Sequence, residues 1–322
     1  LVALERELPR LAEQADRAAR AYLDGASIAI LDDHGLAMDQ IHRPGALAHG
    51  LASSIQSDTR VILTTGEAPL ADLDAAVQVV RLRSDILPGA EAWVFQCELF
   101  AACVRQGKVP VVRLSPALDR RGDRDFRYLD QRFHGDRRVE PIPPEELGRA
   151  YLHELRRQWR DVGTTSWPAL VTAARRAGNT LLDGGRVFVR RGTPALGYVA
   201  LDPLFTSLDH DGSDRNLPIP GPDDFVIAIG YDQPPRSLEW GEPELLTAAG
   251  RGVAWIIAAY DVPQRHRRDL VIDQQWPLGD AAVPVEGYDA RLGSTSGVIA
   301  RALLAALTAQ IRVEAQPPAR RF

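Results

Sequence analysis

Lysine is nearly missing from this chain: of 38 basic residues Lys108 is the one lysine, and the other 37 are arginines. A lysine Schiff base or lysine general base would have to use Lys108. That residue stands in Gly107-Lys108-Val-Pro-Val, a turn leading to a strand, which is the setting of a solvated side chain. Cysteine is almost as scarce. Cys97 and Cys103 lie six apart in one helical pattern, on different faces, so they are not expected to pair and read as buried thiols of a reducing compartment. No apolar run reaches the roughly 20 residues of a membrane span, and the N-terminus lacks a signal-peptide pattern. These absences predict a cytoplasmic protein with no membrane partner. A net charge of −5, with arginines spread through both halves, argues against a nucleic-acid partner. Neither Gly-x-Gly-x-x-Gly nor a Walker loop occurs, so no nucleotide cofactor is expected. His34, His42 and His49 are separated by Pro44 and Gly45 and do not form a ligand face, so no metal is expected either.

What the chain does have is a repeat. Tyr22-Leu-Asp-Gly-Ala-Ser-Ile-Ala-Ile30 and Leu181-Leu-Asp-Gly-Gly-Arg-Val-Phe-Val189 each follow a helical run and lead to a short apolar strand. A second echo pairs Arg60-Val-Ile-Leu-Thr-Thr-Gly-Glu-Ala-Pro69 with Phe225-Val-Ile-Ala-Ile-Gly-Tyr-Asp-Gln-Pro234. Helix, strand, loop, helix, strand, in the same order twice, predicts an internal duplication of an α/β unit with parallel strands.

The pattern predicts helices over residues 3–23, then to about Gln56, over 90–106, 144–162 and 167–182, and from about Ser296 to Val313. Strands are expected at 27–31, 61–64, 77–82, 109–114, 186–190, 225–229, 253–258 and 270–272. Residues 116–144 are rich in Arg, Asp and Pro and lack periodicity, so they read as a linker or strap, packed down by Phe126, Tyr128 and Phe133. The expected domains are therefore 1–115 and 145–322, joined by 116–144.

Ligands of open parallel sheets bind beyond the carboxyl ends of the strands. In the second half these ends carry Arg190-Arg191-Gly192-Thr193-Pro194 and Gly230-Tyr231-Asp232-Gln233-Pro234-Pro235-Arg236-Ser237. Two arginines beside Gly192 suit a phosphate or carboxylate, or else pair with nearby aspartates. Gly293-Ser294-Thr295-Ser296-Gly297 opens the last helix, where hydroxyls and free N–H groups hold an anion or simply cap the helix. It is no serine-hydrolase elbow, since its centre is Thr295 and no strand feeds it directly. Asp209-His210-Asp211-Gly212 fails as a calcium loop, yet His210 between carboxylates is an acid/base candidate or a residue of a flexible polar loop. Glu98, on an otherwise apolar helix, is either a proton-transfer base or part of an exposed face.

Taken in order, Asp183-Gly184-Gly185-Arg-Val-Phe-Val-Arg-Arg-Gly192-Thr193, Asp223-Asp224-Phe-Val-Ile-Ala-Ile-Gly230, Gly279-Asp280-Ala281 and Gly293-Ser294-Thr295-Ser296 resemble a sugar isomerase (SIS) domain over about residues 165–310. The first half joins the resemblance through the repeat. The resemblance implies a Rossmann-like three-layer αβα sandwich with a mostly parallel sheet, so that the chain would be two SIS-like domains in tandem. It implies a sugar-derivative ligand, often a phosphosugar at a dimer interface, which leaves a homodimer open. Family enzymes interconvert aldose and ketose phosphates through a base such as glutamate and a ring-opening histidine, which makes His210, Glu98 and Glu239 the acid/base candidates. Thr193, Ser294, Thr295 and Ser296 become the anion contacts. The chain departs from the family in one loop: a serine/threonine-rich phosphate loop is replaced by Gly230-Tyr231-Asp232-Gln233-Pro234-Pro235, whose acid repels phosphate while Arg236 and Ser237 attract it. Two functions follow: an isomerase-like enzyme, or a non-catalytic module that binds a sugar derivative or a partner through eroded phosphate loops.

Overall fold

Leu4, Leu8, Leu11, Ala15, Ala18 and Ala19 recur at helical spacing, and they form the buried stripe of α1 (Val2–Leu23). Tyr22 extends the stripe in place of Leu23 and donates its hydroxyl to the His49 carbonyl at 2.8 Å. The computed structural model describes residues 1–31, 45–64, 77–82, 88–115, 118, 123–128, 130–191, 202–208, 218–230, 249–257 and 270–316. It divides into two compact units, Leu1–Arg157 with Trp276–Val298, and Gln158–Gln275 with Ile299–Phe322.

In the first unit, α1 stops in a Schellman turn: Gly25 takes φ +94°, the Gly25 N–H donates to the Tyr22 carbonyl, and the Ala26 N–H donates to the Ala21 carbonyl. The chain then runs into β1 (Ser27–Leu31). This strand pairs in parallel with β2 (Leu51–Ala52) and β3 (Thr59–Thr64), and β3 pairs in parallel with β4 (Gln78–Arg81). The order is β2-β1-β3-β4. Residues 45–56 are not helical as expected. Gly45 and Gly50 take positive φ, and a side chain at Gly50 would lie 2.6 Å from the Tyr22 ring, so the chain there runs as turns around β2. Helix α2 (Pro88–Arg105) packs on α1 and is buried nearly all round, Cys97 and Cys103 included. Burial pushes both thiols up, Cys103 to about 12, as befits inert core sulfurs.

The parallel strand expected at 109–114 takes another form. Residues Val109–Pro110 are β5, which pairs antiparallel with β6 (Phe133–His134), and Val112 bridges antiparallel to Leu47. Pro110 has no N–H to donate, which suits it to an edge and not to the middle of a ladder. Residues 123–144 thus belong to the first unit's fold, through the short helix α3 (Asp123–Arg127), β6, and Arg132, which donates to the carbonyls of Tyr22 and Ala26. Tyr128 is buried, whereas Phe126 is 70% exposed and does not pack down.

Helix α4 (Glu146–Thr165) spans the division between the units, and α5 (Trp167–Leu182) follows it. The second Schellman turn matches the first bond for bond: Gly184 takes φ +83°, the Gly184 N–H donates to Leu181 and the Gly185 N–H to Thr180. Five strands follow, all parallel: β7 (Val187–Arg191), β8 (Phe205–Ser207), β9 (Phe225–Ile229), β10 (Val253–Ile257) and β11 (Leu270–Asp273). Their order is β11-β10-β9-β7-β8, so the first four repeat the arrangement of β1 to β4. Strands β9 and β10 are buried at every residue, which explains why their sequences are continuous apolar runs. Both units are therefore α/β, with parallel sheets flanked by helices, as an αβα sandwich requires.

The chain then returns to the first unit as an antiparallel hairpin, β12 (Ala281–Val283) and β13 (Leu292–Ser294), which packs on α2. Helix α6 (Ser296–Glu314) closes the chain. By length and composition α6 is apolar enough to cross a bilayer, with mean hydropathy 1.3, but half of that stretch is buried inside the protein, as in a core helix. Its Glu314 packs so tightly on α5 that a side chain at Gly178 would lie 2.6 Å from the Glu314 Cβ.

Candidate functional site

Strand order locates the first candidate. In the second unit the order reverses between β7 and β9, and a crevice beyond the carboxyl ends of two such strands is where open parallel sheets take ligands. β7 ends in Arg190 and Arg191, with Arg190 in register with Ala228 and Arg191 with Ile229. Both are half-buried, and Arg190 donates from Nη1 to the Leu208 carbonyl at 3.0 Å. Of the other residues expected at these ends, Gly192, Thr193, Tyr231, Asp232, Gln233, Arg236 and Ser237 lie outside the described residues, as do His210 and Glu239.

The anion cradle at the start of α6 holds an anion from the chain itself. Asp280, 2% exposed and at φ +65°, points its carboxylate at the turn that joins β13 to α6. Its Oδ2 accepts from the hydroxyls of Ser294 (2.5 Å) and Ser296 (2.9 Å), and its Oδ1 accepts from the backbone N–H groups of Thr295 (3.2 Å) and Ser296 (2.8 Å). A helix N-terminus and two hydroxyls are the donors that would receive a phosphate or carboxylate, and Asp280 engages both hydroxyls and two of the backbone N–H groups. Tyr151 braces the turn, donating its hydroxyl to the Ser294 carbonyl at 2.9 Å. Gly293 takes φ +70° against the Tyr151 ring, where a Cβ would approach to 2.6 Å. The Thr295 hydroxyl, by contrast, is buried and makes no hydrogen bond. Sequence reasoning noted Gly279-Asp280 but not its role; the available signal was an acid preceded by glycine and followed by a serine-rich helix start.

Glu98 is fully buried and caps α4. Its two carboxylate oxygens accept from the backbone N–H groups of Glu145 (2.8 Å) and Gly148 (2.7 Å), two of the donors left unmet at a helix start. Burial raises its pKa, and the two backbone bonds partly oppose the rise. Near this cap lies an open groove of about 630 Å3, lined by Pro143, Glu145, Arg149, His153, Val283 and Pro284 among others. None of the residues expected from sequence to form the site lines it.

Two further polar groups escaped the sequence reading. Asp224, just before β9, accepts from the Arg186 and Gly221 N–H groups and from the Arg186 guanidinium, each at 2.8 Å. Burial alone would push this carboxyl up, but those bonds together hold it below its ordinary value. In the first unit, His134 Nε2 lies 3.1 Å from the Tyr288 hydroxyl, which donates to the Pro110 carbonyl at 2.9 Å. Burial, with the charges of Arg124 and Arg137, lowers the His134 pKa.

No family model matches the chain, and no curated protein matches it. Among solved structures the chain is similar to the C-terminal domain of glucosamine-fructose-6-phosphate aminotransferase from Francisella tularensis. Identity is 7%, the match covers 98% of this chain and 95% of that chain, and the TM-score is 0.45.

Proposed function

We propose that this chain is a sugar-derivative-binding protein of the SIS type, with its ligand beyond the carboxyl ends of β7 and β9. The observation that carries the reading is the order reversal between these two strands, with Arg190 and Arg191 ending β7. Two guanidinium groups there favour an anionic sugar, a sugar acid or a sugar phosphate.

Of the two functions, binding without turnover has the better support. Asp280 already satisfies the Ser294 and Ser296 hydroxyls and the Thr295 and Ser296 N–H groups, so a phosphate seated there would meet a carboxylate and be repelled. Glu98 spends both oxygens on the start of α4, which leaves His210 and Glu239 as the acid/base pair that an isomerase would use. A cytoplasmic setting accords with two buried, unpaired cysteines.

Thermal unfolding against gluconate, glucose 6-phosphate and fructose 6-phosphate tests the reading, together with solvent-proton exchange at the sugar carbon next to the carbonyl. A rise in Tm without exchange is the expected result. Exchange would establish the isomerase. No shift with any of the three would reject sugar binding.

A further inference from the structure

At the carboxyl end of the second sheet one amide joins three strands. Gln274 directly follows β11, and its backbone N–H donates to the Ile257 carbonyl of β10 at 2.9 Å. Its side-chain Nε2 donates to two further carbonyls, those of Gly230 at the end of β9 and Ile256 of β10, each at 2.9 Å. These two bonds fix which way the amide faces, since a flip would set its oxygen against two carbonyl oxygens. Oε1 is therefore an acceptor held in one orientation by the strand ends. Gln274 is 0% exposed, and this oxygen has no hydrogen-bond partner among the described residues.

A buried acceptor left unmet is destabilising, and such an atom in a native protein is explained by a ligand, an ion or an ordered water that completes it. The position favours a ligand. Ile256 is in register with Ile229, and Ile229 with Arg191, so the amide lies over β9, which neighbours the strand that ends in arginine, and over β10 beyond it. Strands in a sheet are about 4.8 Å apart, so the two carbonyls that hold this acceptor lie about one and two strand spacings from the β7 end that carries the Arg191 guanidinium. A molecule carrying an anionic group and a hydroxyl matches that pair.

We propose that Gln274 is a specificity-determining residue of the strand-end site, its Oε1 accepting a hydrogen bond from one hydroxyl of an anionic sugar. The assignment rests on the binding function proposed above and adds to it the residue that reads the hydroxyl. Its chemical consequence is discrimination: an analogue lacking that hydroxyl leaves Oε1 unpaired again.

The test is calorimetric titration of the full chain with gluconate, glucose 6-phosphate and fructose 6-phosphate, then with monodeoxy analogues of whichever binds. In the native protein one deoxy analogue should bind about tenfold more weakly, the loss of one buried hydrogen bond. Gln274→Met should weaken the parent sugar by a similar factor and remove the penalty for that analogue. Equal losses for the analogue in native protein and variant would overturn the proposal, as would a deoxy series without any selective loss. Because Gln274→Met also removes two bonds between strands, a variant that fails to fold is replaced by the crystal structure of the native complex. There, a sugar hydroxyl on Oε1 supports the assignment, and an ordered water on it overturns the assignment while leaving sugar binding intact. Native protein that binds none of the three sugars overturns both the function and the assignment.

Discussion

Where α1 meets β1 the chain turns through Asp24 and Gly25, and where α5 meets β7 it turns through Asp183 and Gly184, with matching backbone hydrogen bonds at the two junctions. Past these junctions the units keep a common strand order over four strands and then separate. The second adds β11 in parallel, while the first places Pro110 in an antiparallel pair and takes back residues 276–298 as a hairpin. Their polar investments differ as well: the first unit buries Asp280 at the start of α6, and the second buries Asp224 at the foot of β9. The junction is closed by contacts within six residues, so it survives divergence elsewhere in the unit. The fifth strand and the buried carboxylates depend on partners far away in sequence and are free to change.

The largest expected effect lies in the first unit. Asp280→Ala leaves two hydroxyls and two N–H groups buried without their acceptor and should cost about 3 kcal/mol in a urea unfolding experiment; a loss below about 1 kcal/mol would mean that the turn rearranges to satisfy itself. In the second unit, Asp224→Ala should cost about 2 kcal/mol. In the first unit Asp58, just before β3, is exposed and accepts from the Ser27 hydroxyl, so Asp58→Ala should cost under about 0.5 kcal/mol. Equal costs at the two aspartates would erase this distinction between the units.

Gly25→Ala and Gly184→Ala sharpen the likeness instead. Nothing lies within 4 Å of a Cβ built at either glycine, so each substitution carries only the penalty of the left-handed backbone, about 1 kcal/mol. Unfolding midpoints should fall by the same amount, and a clear inequality would break the equivalence of the junctions.

The smallest effect is a pH dependence in the first unit. Unfolded His134 binds its proton near about 6.5, and the folded site binds it at lower pH because of burial and the charges of Arg124 and Arg137. Between those values the unfolded chain holds more protons, so stability rises with pH and is lost as pH falls through the window. Asp224 acts in the same direction further down: its stabilisation is present above its unfolded value, near about 3.9, and is lost as pH falls through its lowered folded value. The hydrogen-exchange protection factors of β5 and β6, corrected for the intrinsic pH dependence of exchange, should therefore fall at mildly acidic pH while those of β9 hold, and His134→Asn should remove that early response.

Much of the scaffold was legible from residue spacing. The apolar period of α1, the runs of β9 and β10, and the Asp-Gly stops carry their own geometry, because each depends on neighbours a few residues away. The echo of Arg60 with Phe225 was read one residue out of step: β1 is in register with β3 from Ile28 to Val61, as β7 is with β9 from Val187 to Phe225, after an irregularity between Ser27 and Ile28. The serine-rich start of α6 was legible as an anion cradle, but the occupant was not, since Asp280 comes to it through the fold of a hairpin that the pattern did not predict. Residue spacing placed Arg190 and Arg191 at the end of a strand, whereas nothing in the spacing singled out Gln274.

Local spacing was thus enough to specify helices, parallel strands and the two matching junctions, since hydrophobic period and left-handed glycines act within a turn or two of chain. Tertiary packing decided which carboxylate fills the cradle, that Glu98 faces the start of a helix, that residues 276–298 return to the first unit, and which amide spans three strand ends. Those outcomes depend on which distant donors and acceptors burial brings together, and a buried polar group settles wherever the folded chain leaves it a partner.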